Sequence, residues 1–211
     1  MKKLLLSTAA LLGLSIPALA QVNTVPQVGL NTNTLRQNTY SAVFTGLVPA
    51  ASATDIFCLN GSATKDIHVI RVEISGTAGT LITTPVTLLR RVSLDTGTAA
   101  TATYVPGIVP LYIANPTATA SVTGYNTTGG NPTIVDTTPT YYRVGEVTLG
   151  VSGTTAAPAD HLVWRFGSDV DNYAQRLIIG AGNTTKQLCL NLGAVSVTTG
   201  ALYGQIDWME Y

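Results

Sequence analysis

The sequence predicts an all-β fold: a single antiparallel β-sandwich or jelly-roll-like domain of about ten strands, joined by long Thr-, Gly- and Pro-rich loops. Three observations carry this expectation. Short runs of β-branched and aromatic residues alternate apolar with polar side chains. Gly, Pro, Asn and Thr interrupt the chain roughly every ten residues. No long segment repeats apolar residues at the i, i+3, i+4 and i+7 positions that a helix requires.

The chain opens with a segment that is not part of this pattern. Lys2 and Lys3 precede an apolar run from Leu4 to Ile16, then Pro17 and Ala18-Leu19-Ala20. A short positive stretch, an apolar stretch and small residues at −3 and −1 are the marks of an export signal, so residues 1–20 are expected to be removed before Gln21. The apolar run is too short to cross a ~30 Å hydrocarbon core comfortably, and no later stretch reaches the ~20 apolar residues a membrane span needs. The protein is therefore expected to be exported, to the periplasm, the cell surface or the medium. Residues 21–38 read as an extended N-terminal arm. Residues 39–211 are expected to form the β-domain.

Within that domain the strand candidates follow one another at short intervals. They are Thr39–Leu47, Thr54–Asn60, Asp66–Ser75, Pro85–Val92, Ala118–Tyr125, Thr140–Leu149, His161–Gly167, Arg176–Ile179, Lys186–Asn191 and Ala201–Glu210. The clearest is Asp66–Ser75, where strict alternation puts His68, Ile70, Val72 and Ile74 on a core face and Arg71 and Glu73 toward water. Turn residues separate the runs, for example Asn60-Gly61-Ser62 and Gly180-Ala181-Gly182-Asn183. Ser93–Asn115 and Asn126–Pro139 carry few large apolar groups and read as extended surface loops or irregular edge strands, and long loops are the parts of a β-scaffold that usually bind.

Composition narrows the function classes. Removing 20 of the 211 residues leaves 191, with 9 basic and 11 acidic side chains. No basic stripe is available to displace counterions from phosphates, so a nucleic-acid partner is not expected. Charged residues make up 10% of the chain, against a typical ~25%. Small polar residues take their place, 33 Thr and 20 Gly among them. Low charge suits close-packed, salt-insensitive contacts, and near-zero net charge favours self-association.

Few residues suggest chemistry. Cys58 and Cys189 lie in apolar runs 131 positions apart. They either pair, closing a loop worth up to roughly 5 kcal/mol in the chain-entropy picture, or remain two buried thiols. Neither has the cationic neighbour an activated thiol needs. The two histidines, His68 and His161, have no Gly-x-Ser-x-Gly elbow to serve. They are also too few for a zinc site. Asp169 and Asp171 resemble the start of a calcium loop but lack its glycine and closing glutamate. The sequence thus predicts no enzyme, no cofactor and no metal beyond that weak calcium candidate. Tyrosine outnumbers the other aromatics, and Tyr104, Tyr112, Tyr125, Tyr141 and Tyr142 fall in or near the long loops. Exposed aromatics of this kind stack on sugar rings or anchor interfaces. A carbohydrate-binding or adhesin-like module is the alternative they offer.

One resemblance bears on function. The stretches Asp55–Lys65, Glu73–Thr77, Leu162–Gly167, Gln187–Gly193 and Ile206–Glu210 resemble a family of short β-rich proteins from bacteria and from tailed-phage or prophage structural gene regions. The resemblance implies a β-sandwich, no catalytic residues, and a coat, fibre, virion-like or surface-assembly role with self-association or other surface or virion proteins as partners. The export segment departs from that setting, because phage heads and tails assemble in the cytoplasm.

Overall fold

The computed structural model describes residues 37–48, 50–126, 132–153, 160–167, 177–195 and 199–211. The expected export segment, all but the last two residues of the expected arm, and Asp169 and Asp171 lie outside these. The described residues form no helix, and they form eleven strands in one mixed sheet. The strands are β1 (Asn38–Leu47), β2 (Thr54–Asn60), β3 (Ile67–Ala78), β4 (Ile82–Arg91), β5 (Ile108–Pro110), β6 (Ser121–Gly124), β7 (Thr140–Val151), β8 (Leu162–Arg165), β9 (Leu177–Ile179), β10 (Gln187–Leu192) and β11 (Gly200–Glu210). No helix among the described residues is long and apolar enough to cross a membrane.

The sheet runs β5-β1-β11-β3-β7-β4-β10-β2-β6. Strand β7 joins its two limbs: it pairs antiparallel with β4 from Thr140 to Leu149, then parallel with the end of β3 through Gly150 and Val151. That short parallel contact corrects the purely antiparallel sheet expected from the sequence. Strand β3 carries β11 along one edge and β9, β8 and β7 in succession along the other.

The far ends of the sheet approach each other. Thr45 N on β1 donates to Tyr104 O (2.8 Å), Ala100 N donates to Gly124 O on β6 (2.7 Å), and Val48 N donates to Asn126 Oδ1 (3.3 Å). Residues 100–105 therefore bridge the two edges and give the sheet a nearly closed, barrel-like course. The Ser93–Asn115 stretch, expected to be an extended loop or irregular edge strand, supplies both this bridge and the edge strand β5.

The core lies between the limbs. Phe44 of β1 meets Phe57 of β2 at 5.0 Å between ring centres, and Tyr40 stacks on Trp208 at 5.8 Å. Gly204 of β11 has no Cβ where one would collide with the Phe44 ring and the Glu73 carbonyl, so the ring lies directly over the strand.

Two bulges set which side chains reach this core. Gly46 interrupts the β1–β11 ladder between Thr45 and Leu47 with φ 71°, a conformation glycine adopts without strain. In β3, Asp207 faces Arg71 but Trp208 faces Val69, leaving Ile70 as the extra residue. An extra residue reverses the inward set. Ile67 and Val69 are buried before it, and Val72, Ile74 and Ala78 after it. His68 and Ile70 are consequently only partly buried, which corrects the strict alternation expected there. His68 packs its ring at 4.1 Å from that of Tyr211.

Candidate functional site

Strand β2 is buried along nearly its whole length, Thr54 to Leu59, rather than on alternate residues. The limb it belongs to is covered on both faces, as unbroken apolar runs such as Ile56-Phe57-Cys58-Leu59 require. On the inner face the ladder aligns Phe57, Leu190 and Leu88. On the outer face it aligns Cys58, Cys189 and Leu89, flanked by the rows Asp55–Asn191–Thr87 and Asn60–Gln187–Arg91. A bulge at Ile56 makes this possible: it brings Asp55 to the same face as Cys58, three residues away.

Cys58 and Cys189 face each other directly across β2 and β10, their Cα atoms 4.1 Å apart, and are joined in a disulfide. Both are fully buried. Asp95 and Tyr125 lie over them, and the 92–96 segment that carries Asp95 is tied to a second segment, 133–138. Thr96 and Thr133 exchange backbone hydrogen bonds of 3.0 and 2.6 Å, Val92 N donates to Asp136 Oδ2 (2.8 Å), and the Tyr125 hydroxyl donates to Asp95 O (3.3 Å).

Three carboxyl groups and one guanidinium meet beneath this cover. Arg91 Nε donates to Asp55 Oδ2, its Nη2 to Asp55 Oδ1 (2.8 Å), and its Nη1 to the Asp136 carbonyl (2.6 Å). Asn191 Nδ2 adds a third donor to Asp55, at Oδ1 (2.7 Å). Asp55 is thus fully engaged. Asp136 accepts backbone N–H bonds from Val92 and Thr138, which hold its pKa below the usual carboxylate value.

Asp95 is placed differently. Its side chain is fully buried, its Oδ1 lies 3.7 Å from Arg91 Nε without a hydrogen bond, and its Oδ2 lies 4.0 Å from Cys58 Sγ. Burial first, and then the Asp55 carboxyl beside it, push its pKa up to about 8. Asp95 therefore keeps its proton at neutral pH. Burial and the same two acids raise the Tyr125 hydroxyl to about 12.

Asp55, Cys58, Asp95 and Cys189 bring their ligand atoms within 4.8 Å of one another. The two sulfurs are spent on each other and Asp55 on Arg91, so the group presents no thiolate to a metal.

The five loop tyrosines do not share a platform. Tyr104 packs beside β1, Tyr112 follows β5, and Tyr141 and Tyr142 lie on β7 opposite the end of β4. Tyr141 is 63% exposed, whereas Tyr142 packs against the core. Tyr125 is buried over the disulfide, so it leaves the set of tyrosines that could stack on a sugar. His161 reaches Glu73 (3.6 Å) in an open network with Arg71 and Asp207.

Sequence reasoning missed the acid cluster. Its traces were the Arg90-Arg91 doublet in a chain poor in charge, and Asp55 at the head of an unbroken apolar run. Neither shows that the two meet. No protein-family model matches the chain, and no curated protein or solved structure matches it significantly.

Proposed function

We propose that this protein is an exported, non-enzymatic subunit that works by surface contact, as a coat, fibre or virion-like assembly component, with its two limbs stacked as a sandwich. The observation that supports this most directly is the apolar run at the sheet edge. Val109 on β5 and Leu111 and Ile113 just beyond it are 59%, 57% and 95% exposed. Adjacent exposed aliphatic residues on one edge mark a contact surface more than scattered ones do. The edge is not open to simple strand addition, because Pro110 has no N–H and Leu111 N bonds back to Thr39 O (2.9 Å). What it offers a neighbour is side chains. The groups that could do chemistry, by contrast, are sealed beneath the 92–96 and 133–138 segments.

Sedimentation velocity and electron microscopy test this. The expected result is a discrete oligomer or fibre that Ile113→Asp dissociates. A protein that stays strictly monomeric at high concentration would overturn the proposal.

A further inference from the structure

We infer that the Cys58–Cys189 disulfide is a proton-gated redox site, in which one proton held on Asp95 keeps segment 92–96, tied to 133–138, closed over the sulfurs, and loss of that proton opens them to a thiol reductant. The geometry carries this in three steps.

The disulfide has no solvent exposure, so a reductant reaches it only when its cover moves. The cover touches the sulfurs through Asp95, whose carboxylate lies 4.0 Å from Cys58 Sγ, and through Tyr125. Its other anchors include the Val135 N–H on the Asp95 carboxyl, the Thr96–Thr133 pair, Val92 to Asp136, and Arg91 to the Asp136 carbonyl.

The charges around Asp95 are then unequal. Facing it are Asp55 from β2, Arg91 from β4, the Val135 backbone N–H from the second segment and the Tyr125 phenol after β6, with Asp136 beyond Arg91, while β10 contributes the neutral Asn191 and Cys189. Arg91 spends all its hydrogen bonds on Asp55 and the Asp136 carbonyl, and Asp95 Oδ1 receives none. With its proton, Asp95 adds no charge beside Arg91. Without it, a further buried anion joins Asp55 and Asp136 around that single cation, and the Asp95 segment gains by swinging its carboxylate into water.

Once the site is open, reduction is ordinary exchange. A reductant thiolate attacks one sulfur, forms a mixed disulfide and expels the other as a thiolate, which takes up a proton. A second reductant thiol then displaces the first sulfur. The protein gains two electrons and two protons, and the reductant leaves as its own disulfide.

The sign follows from linkage. Asp95 binds its proton more tightly closed than open, so the closed form is favoured below the ordinary aspartate pKa of ~3.9 and loses that advantage as pH rises toward about 8.

The test is the reduction rate of the full protein by a water-soluble phosphine from pH 5.5 to 9, normalised at each pH to an exposed disulfide peptide. The phosphine becomes its oxide with oxygen from water, and the freed thiols are counted by alkylation and mass spectrometry. The expected wild-type rate climbs about 100-fold between pH 5.5 and 8 and levels off above, one proton per opening. In Asp95→Asn, which keeps the side chain neutral, it stays flat. A wild-type change under about threefold, or the same climb in Asp95→Asn, would overturn the inference. If that variant does not fold, wild-type amide exchange at Thr96 and Thr133, corrected for intrinsic rates, must show the same climb, and its absence overturns the inference equally.

Discussion

Two buried acids in this protein, Glu210 and Asp95, answer the same problem in opposite ways. Glu210 ends β11 with 3% exposure. It accepts from Thr119 N, Thr119 Oγ1, Ala120 N and Trp208 Nε1 at 2.7–3.2 Å. Burial alone would raise its pKa, but these donors outweigh burial and lower it. Asp95 is as deeply placed, but its nearest polar neighbours include a second acid, and its pKa goes up. Depth does not decide the charge of a buried carboxyl; the count of donors aimed at it does.

The largest way to break this comparison is to remove the cation beside Asp95. Arg91→Met leaves Asp55 buried without its partner, and calorimetry should show about 3–5 kcal/mol of lost stability, the cost of stranding a buried charge. A loss under about 1 kcal/mol would mean that Asn191 and its surroundings satisfy Asp55 without the guanidinium. Next comes Glu210→Gln, which keeps the shape but turns two oxygens that only accept into an amide that must also donate. About 1–3 kcal/mol should be lost at pH 7.

The pH dependence sharpens the contrast. The folded pKa of Glu210 lies below its unfolded value, so its contribution is present above pH ~4.3 and is lost as pH falls through the folded value. Asp95 has the reverse sign and weakens the fold as pH rises toward about 8. Urea unfolding across pH should show both slopes, with Glu210→Gln flattening only the acid side. The smallest effect belongs to the open network. Asp207→Asn breaks the 2.8 Å pair with the partly exposed Arg71, and should cost no more than roughly 1 kcal/mol because solvent screens such pairs.

How far the fold was legible depended on the range of the cause. Strand β2 was read at its observed limits, Thr54–Asn60, and β1 and β7 within a residue or two, because alternation and flanking turn residues act locally. Strand β5 was legible only as an extended loop or irregular edge strand within Ser93–Asn115, since three residues of a Pro-rich stretch become a strand only by lying along β1. The inward face of β3 was misjudged at His68 and Ile70 because the bulge belongs to its pairing with β11, and pairing has no signature in one strand alone. The candidate site fared likewise. Both cysteines were visible as a possible pair, but Asp55, Arg91, Asp95 and Asp136 come from separate turns and strands and meet only in three dimensions.

By itself, then, the sequence determined that this chain folds as β-structure, where most strands lie, and that charge is scarce. These follow from side-chain shape, period-2 patterning and turn chemistry, which operate over a few residues. The tertiary structure decided strand order, the bridging of the sheet's edges, the joining of Cys58 to Cys189 and the protonation of Asp95. Each of those depends on which distant groups are brought within a few ångströms after water has been excluded. There, the energy of a charge or a hydrogen bond is set by its neighbours in space and not by its neighbours in the chain.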